Sequence, residues 1–261
     1  MKEPSIIFQG WGVRAILDGR KTQTRRVIKP QPECGKGCQH HGVNIYDEHI
    51  FYPISERDFY KGLSCLRKCP YGVPGDRLWV RETWRPETEA DTGHVFVRYR
   101  ADNHTEDFER DLILAAMNGL DRWRPSIHMP RWASRINLIN TSVRVERVGD
   151  ISEEDAQAEG CINDVRLQYG HMTGPIDYEG RYAAERFEEL WDSINAKPKP
   201  VYSNIMKVLD REIYVPGAGK ILYYVSFPWS ESTRDPRTEI NSKRHYCCPN
   251  PWVWVIEYEV E

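Results

Sequence analysis

Segments with the pattern of β-strands recur along the whole sequence and limit the folds that this chain can adopt. Successive side chains of a strand point to opposite faces, so apolar residues at every second position mark one buried face. Residues 78–84 show this alternation, and residues 252–258 form an almost continuous apolar run typical of a buried strand. Strands are predicted over residues 5–8, 22–28, 78–84, 95–100, 136–148 and 252–258. This pattern predicts an α+β fold that is mainly β.

Three helices are predicted to flank the strands, over residues 11–18, 151–160 and 178–195. The middle helix carries both end signals, because Ser152 is a favoured N-cap residue and Gly160 permits the turn that ends a helix. Glu159 breaks the local rule, since a carboxylate near a helix C-terminus faces the negative end of the helix dipole. Such a residue is a candidate functional residue, although an exposed glutamate at a helix end explains it equally well.

Length and charge bound the domain organisation and the class of partner. The 261 residues suit one domain with long insertions. Residues 33–71 form a Cys/His-rich insertion, and the poorly patterned residues 197–249 are predicted to be an irregular insertion. The net charge of −3 excludes a chain that is basic over its whole surface. Any nucleic-acid site must therefore be a local patch.

The N-terminus and the cysteine count bear on the compartment. The first residues lack an apolar segment behind a basic start, and no run approaches the ~18 apolar residues of a membrane span. Seven cysteines, an odd number, argue against a disulfide framework. These features predict an intracellular protein without membrane attachment.

A basic, hydroxyl-bearing segment at residues 19–26 is the first candidate site. It contains four cations and two threonines but no acid, which suits an anion or a polar ligand. Lys21 and Thr24 are predicted to face one pocket, and the three arginines of the segment are predicted to form its wall: Arg20, Arg25 and Arg26. A solvated helix end, in which cations meet the C-terminal dipole, is the structural alternative.

Four further residues are candidates for the same pocket. Glu82 falls on an otherwise apolar strand face, either as a paired core acid or as a pocket acid facing Lys21 or an arginine. Trp84 and Trp132 could stack on a base, or they could belong to the core. His128 lies between cations and tryptophans, although a lone histidine is more often structural.

The Cys/His-rich insertion predicts a structural zinc site. Its two C-x3-C pairs, on two loops, would supply four thiolates: Cys34, Cys38, Cys65 and Cys69. His40 or His41 could replace one thiolate. A lobe of this size can hardly bury a core of its own, so a metal would stabilise it. Four unconnected, reduced cysteines are the alternative. No organic cofactor is expected.

Several segments, in order, resemble the ASCH domains, which are relatives of the PUA RNA-binding domains. The motif Gly-x-Lys-Thr-x-Thr-x-Arg runs from Gly19 to Arg26, behind a helix ending in Ile-Leu-x-Gly. The matching segments are residues 14–26, 74–84, 128–135 and 251–257, which together make up 39 of the 261 residues and follow the order of the family. The resemblance implies a PUA-like β-barrel with short flanking helices and long insertions. The arrangement is similar to the phage and prophage branch, which implies the cytoplasm of a bacterium or an infected cell.

Within this family, small bacterial members are N4-acetylcytidine amidohydrolases that use a lysine, a threonine and a glutamate. By motif, these fall on Lys21, Thr24 and Glu159, the last through the helix at residues 151–159. The resemblance thus implies removal of an N-acyl group from a cytosine-type base. The implied partner is a modified nucleoside, RNA or single-stranded DNA. Two alternatives stay open: a nucleic-acid-binding module without catalysis, and a ribonuclease. This chain is more than twice the usual size of those enzymes, so its insertions could change the substrate.

Overall fold

The computed structural model describes most of the chain. The described residues are 3–32, 38–44, 47–53, 65–109, 111, 113, 122–161, 182–202, 205–208, 211–214, 221–233 and 237–261. The helices are α1 (Gly10–Leu17), α2 (Glu153–Ala158) and α3 (Ala183–Asn195). The strands are β1 (Ser5–Ile7), β2 (Gln23–Val27), β3 (Cys38–Val43), β4 (Glu48–Pro53), β5 (Cys65–Lys68), β6 (Arg77–Arg81), β7 (Trp84–Thr88), β8 (Val95–Tyr99), β9 (Thr105–Glu106), β10 (Asn137–Arg147), β11 (Lys199–Tyr202), β12 (Ile205–Val208), β13 (Arg211–Tyr214), β14 (Ile221–Ser226), β15 (Glu239–Ile240), β16 (Lys243–Cys247) and β17 (Trp252–Val260). The prediction of a mainly β, α+β chain is confirmed.

A five-stranded sheet in the order β1-β6-β10-β17-β2 forms the centre of the described structure. Strand β1 runs parallel to β6, and the other neighbours are antiparallel. The predicted strands at both ends of the chain and at residues 136–148 are confirmed as β1, β2, β17 and β10. The predicted strand over residues 78–84 is wrong in its extent. It breaks at Glu82 and Thr83, so that β6 belongs to the central sheet and β7 to a separate sheet with β8 and β9.

The central sheet buries apolar side chains on both faces. On one face, Val13 and Ile16 of α1 pack with Trp254 and Ile256 of β17. On the other face, α2 and α3 pack against β17 through the cluster of Ala156, Phe187, Trp191, Val253 and Val255. Strand β17 is therefore covered on both sides, which explains its continuous apolar sequence.

Local signals explain where the helices end. Gly19, at φ 70°, takes the left-handed conformation just beyond α1, as Gly160 does beyond α2 at φ 89°. Ser152 is the N-cap of α2, where its hydroxyl accepts a hydrogen bond from the Asp155 amide at 3.1 Å. The carboxylate of Glu153 accepts hydrogen bonds from the first two amides of α3. This contact joins α2 to α3, because the first backbone amides of a helix have no acceptor within that helix.

Replacing the N-cap residue tests this account of α2. Ser152→Ala is expected to lower the free energy of unfolding by about 1 kcal/mol, because the Asp155 amide loses its side-chain acceptor. Urea unfolding monitored by circular dichroism measures the change. Ser232→Ala, which removes an exposed hydroxyl bonded only to Ser230 in the described structure, is the matched control and should change stability far less. Equal effects of the two substitutions would contradict the capping role.

Both predicted insertions contain regular structure. Residues 38–68 include the antiparallel sheet β3-β4-β5, which docks on the core where Phe51 and His49 meet the rings of Trp252 and Trp254. The prediction of an irregular segment at residues 197–249 is wrong. The described part of that segment holds the sheet β11-β14-β16-β15 and the hairpin β12-β13. Its strands are short and mixed in polarity, which leaves weak periodicity in the sequence.

The zinc site stays a prediction. Cys34 and the side chains of Cys38, Cys65 and His41 lie outside the described residues. Cys69 is a buried thiol of the main core cluster, where burial raises its pKa to about 12. Within the described part of the chain, no three His, Cys, Asp or Glu side chains are grouped to hold a metal. Metal analysis of the purified protein tests the prediction, with one zinc per chain and a lower melting temperature after chelation as the expected result.

The central sheet is not closed into a barrel in the described structure. Its two edges are β1 and β2, and the space between them is spanned by a side chain, since the Arg26 guanidinium donates to the Ile7 carbonyl at 2.6 Å. Among the described residues, no helix has both the length and the apolar character needed to cross a bilayer.

Candidate active site

A cavity of about 380 Å³ opens where the two edge strands of the central sheet approach each other. Ile7 of β1 lines one side and Thr24 of β2 the other. The N-terminal turn of α1 contributes Trp11, the end of α2 contributes Glu159, and the apolar face of α3 closes the remaining side. The volume lies within the ~300–1,000 Å³ typical of small-molecule sites. We call this space the Lys21 cavity.

A buried ion pair between Lys21 and Glu159 lies in the cavity. The Lys21 amine donates to the Glu159 carboxylate at 2.6 Å and to the Glu159 carbonyl at 2.7 Å. Lys21 is 2% exposed and Glu159 is 3% exposed. The backbones of the two residues also form an antiparallel bridge. Glu159 is therefore not an exposed glutamate at a helix end, and its placement against the dipole is compensated by a direct cation.

Glycine at position 160 is required by this arrangement. A Cβ atom at Gly160 would lie 3.0 Å from the Ala15 Cβ and 3.2 Å from the Lys21 Cβ. The left-handed backbone of Gly160 further disfavours any other residue. The end of α2 can therefore approach the segment after α1 closely enough for Glu159 to reach Lys21.

Burial controls the protonation of Lys21. Removal from water lowers the pKa of the Lys21 amine below its ordinary value, and the Glu159 carboxylate offsets only part of that effect. Arg26 lowers the same pKa further by like-charge repulsion. The amine also lies 5.4 Å from the Trp11 ring centre and 5.8 Å from that of Phe8. The site therefore makes the neutral amine more accessible than it is for a lysine in water.

Thr24 lines the same cavity. It is the second residue of β2, paired with Ile256 of β17, and it is 4% exposed. Its hydroxyl has no hydrogen-bond partner among the described residues. An edge strand thus places a threonine with no described hydrogen-bond partner for its hydroxyl in the same cavity wall as Lys21.

Arg25 is committed to a network of acids behind the cavity. Its fully buried guanidinium pairs with Asp155 at 2.7 Å, with Glu146 at 3.0 Å and with Glu159 at 3.5 Å. Arg144 bonds to Asp155 and Glu146 as well. Burial raises the pKa of Asp155, but the bonds from Arg25 and Arg144 lower it more, so the net shift is downward. The network neutralises Arg25 and holds the Glu159 carboxylate in position.

The other two arginines of the basic segment differ in position. Arg26 lines the cavity, with its guanidinium 5.0 Å from the Phe8 ring centre. Arg20 lies outside the cavity lining and is exposed, paired with Asp18 at 2.8 Å. The prediction that all three arginines form one pocket wall therefore needs correction at Arg20, which extends away from the pocket.

Glu82 is a paired buried acid and does not line the Lys21 cavity. Its carboxylate accepts two hydrogen bonds from Arg135, at 2.9 and 3.1 Å, and Arg135 also pairs with Asp102. Burial raises the pKa of Glu82 even though Arg135 opposes the shift. Glu82 lines a neighbouring cavity of about 470 Å³ that shares Phe8 and Trp11 with the Lys21 cavity.

The predicted aromatic and histidine candidates lie away from the Lys21 cavity. Trp84 is 1% exposed and packs edge-on against Trp132 in a second core cluster. His128 is exposed at the end of the one-turn helix Ser126–His128. The geometry therefore does not support the assignment of these three residues to the pocket. For Trp84 the reason is the break after β6, which places this residue in a different sheet.

Sequence reasoning missed the residues that supply the aromatic and apolar wall. Phe8 and Trp11 flank the Lys21 amine, and Tyr71 and four residues of α3 complete the wall: Phe187, Leu190, Trp191 and Ile194. The last four are the predicted apolar face of the helix, so their periodicity was visible although its role in a cavity was not. Lys29 and Lys199 also line the cavity and follow no motif.

Comparisons with known proteins add no identification. No family model matches this chain, and neither does any curated protein or solved structure. The class of the site rests on its own geometry: a buried lysine–glutamate pair and a free hydroxyl in an aromatic, cation-rich cavity.

Proposed function

We propose that the protein is an amidohydrolase of the ASCH type that removes an N-acyl group from a cytosine-type base. The observation that carries the proposal is the presence of Lys21, Thr24 and Glu159 in the wall of one cavity. The motif resemblance supports it, and so does a central sheet whose open edge forms the cavity, as expected for the mouth of a PUA-like fold. The rings of Phe8 and Trp11 would pack on the base.

The proposed reaction begins at the Thr24 hydroxyl. Neutral Lys21 takes the hydroxyl proton while the oxygen attacks the acyl carbon, forming a tetrahedral intermediate. Collapse breaks the bond to the cytosine nitrogen, and the Lys21 ammonium returns the proton to that nitrogen as it leaves. A water oriented by Glu159 then attacks the acyl-threonine ester while Lys21 takes a proton from that water. Collapse breaks the ester bond, and the Lys21 ammonium returns the proton to the Thr24 oxygen, which releases the carboxylic acid and restores the hydroxyl. Arg26 faces the cavity and could stabilise the oxyanion.

Binding without catalysis is the second candidate, and one observation favours it. Among the described residues, five cations but only one carboxylate line the cavity: Lys21, Arg25, Arg26, Lys29 and Lys199 against Glu159. A site with this excess suits an anionic ligand even if no bond is broken. It would show affinity that falls steeply with salt and no turnover. The ribonuclease alternative loses its proposed acid–base residue, because His128 is exposed and outside the cavity lining.

Two incubations separate the candidates. Purified protein is mixed with N4-acetylcytidine, and separately with labelled RNA, and the products are resolved by chromatography. Formation of cytidine and acetate supports the amidohydrolase, whereas shortened RNA supports a ribonuclease. Binding of either ligand without product leaves the binding module and rejects the enzyme.

The rising limb of the pH–rate profile tests the role of Lys21 as base. Activity should rise with pH as Lys21 loses its proton, with an apparent pKa below the ordinary lysine value because burial lowers it. Glu159 raises the pKa of Lys21, so Glu159→Gln should move the rising limb to lower pH. Arg26 lowers that pKa, so Arg26→Gln should move the limb to higher pH. Profiles of kcat/KM against pH measure both shifts. A rising limb that stays in place in both variants, or that shifts in the same direction in both, would reject Lys21 as the base.

A further inference from the structure

Lys29 and Lys199 form a second cationic group at the Lys21 cavity. Lys29 follows the end of β2, and Lys199 opens β11, where it pairs in register with Val225 of β14. The Lys29 amine lies 5.5 Å from the ring centre of Phe227, which follows β14 directly. Both lysines line the cavity that contains Lys21 and Thr24. The two amines therefore approach one space from different parts of the fold.

These two lysines differ from Lys21 and Arg25 in having no acid partner among the described residues. Lys21 is paired with Glu159, and Arg25 is paired with three acids. Among the described residues, no ion pair or hydrogen bond engages the amine of Lys29 or Lys199. Burial lowers the pKa of Lys199, and repulsion from Lys29 lowers it further. Both lysines are exposed, so the repulsion between them is the relevant effect, and an anion between the two amines would relieve it.

We propose that Lys29 and Lys199 bind a phosphate group, so that the ligand of the Lys21 cavity is a cytosine nucleotide and not a free nucleoside. The inference rests on the proposed function for the position of the base and deepens it by naming the substrate class. The cavity of about 380 Å³ is large enough for a base on the Phe8 and Trp11 side with a phosphate toward Lys29 and Lys199.

A structural role for Lys199 makes a different prediction. Lys199 follows the C-terminal end of α3, where a cation is favoured by the helix dipole. If that were its only role, its replacement would lower the melting temperature and leave ligand preference unchanged. Phosphate binding instead requires that the preference for nucleotide over nucleoside be lost.

Equilibrium binding tests the proposal without depending on turnover. Isothermal titration calorimetry would compare cytidine, cytidine 5′-monophosphate, the dinucleotide CpA and inorganic phosphate. The proteins would be the full-length chain and its Lys29→Met, Lys199→Met and Lys197→Met variants. Lys197 is exposed, two residues from Lys199 and outside the cavity lining, so it is a charge-matched control. Thermal unfolding of each variant would identify any loss of folding.

The unaltered protein is expected to bind a phosphate-bearing ligand at least about tenfold more tightly than cytidine, as one charge-assisted contact allows. A larger gain in affinity for the monophosphate identifies a mononucleotide as the source of the phosphate. A larger gain for CpA identifies an RNA backbone. Lys29→Met and Lys199→Met should each remove most of this gain while leaving cytidine affinity unchanged, and Lys197→Met should behave as the unaltered protein.

Three results would overturn the subsite: equal affinity for cytidine and both phosphate-bearing ligands, equal loss for all ligands in the two variants, or no binding of either nucleotide. The subsite and the proposed function fail separately. Hydrolysis of N4-acetylcytidine with the same KM as its 5′-phosphate rejects the subsite alone. Lysine-dependent nucleotide binding without any hydrolysis rejects the amidohydrolase alone.

Discussion

Lys21→Met is expected to lower the free energy of unfolding by about 3 kcal/mol, because it leaves the Glu159 carboxylate buried without its closest cation. Arg25 remains 3.5 Å from that carboxylate, which places the expected loss at the lower end of the range for a broken buried pair. The methionine keeps the apolar stem of the lysine, so the change reports mainly on charge. Urea unfolding at neutral pH measures it.

The matched double variant separates the ion pair from packing. Lys21→Met with Glu159→Leu removes both charges, and this variant should be more stable than Lys21→Met alone because no uncompensated ion remains. Lys197→Met is the control for loss of a lysine, and it should leave stability within about 0.5 kcal/mol since that side chain is exposed. If the double variant loses as much stability as Lys21→Met and Glu159→Leu lose in sum, the two side chains do not interact, and the ion pair is rejected.

Thr24→Ala is expected to lower kcat for N4-acetylcytidine by at least about 10³-fold, because the hydroxyl is the proposed nucleophile. Thr24→Ser keeps a hydroxyl at the same strand position and should retain activity within about tenfold. Thr22→Ala removes an exposed threonine two residues away, on the same strand-forming segment but outside the cavity lining, and should leave activity unchanged. Steady-state rates from product chromatography measure all three variants.

Direct detection of the acyl intermediate gives an independent check on Thr24. Mass spectrometry of protein quenched during turnover should find an acyl group on the peptide that contains Thr24, and none in Thr24→Ala. Full activity of Thr24→Ala would reject covalent catalysis at this residue. Full activity of both Lys21→Ala and Thr24→Ala would reject the mechanism as a whole.

Strand positions and helix ends could be predicted from the sequence because their causes are local. The alternation in β10 and the apolar run of β17 reflect burial of one or both faces of a strand. Ser152 and Gly160 act on backbone groups within their own helix end. The local conflict at Glu159 was also visible, since it depends only on the position of a carboxylate along α2.

The extent of the strand around Glu82 could not be predicted, because its break depends on a distant partner. Residues 78–84 alternate without interruption, but Arg135 binds Glu82 after more than fifty intervening residues. The chain leaves the central sheet at that point, and Trp84 joins a different core cluster with Trp132. An aromatic residue has the same pattern in a core as at a binding site, so periodicity could not tell these uses apart.

Sequence alone is enough to predict the strands of the central sheet, the caps of α2, and a motif that contains Lys21 and Thr24. The tertiary structure determines which side chains these residues contact. It brought Glu159 to Lys21 across 138 positions, committed Arg25 to acids behind the cavity, and turned Arg20 outward. It also assembled the wall from Phe8, Trp11 and α3, and joined Lys29 with Lys199. The physical reason is that backbone preference acts between neighbours in the chain, whereas burial and charge pairing act between neighbours in space.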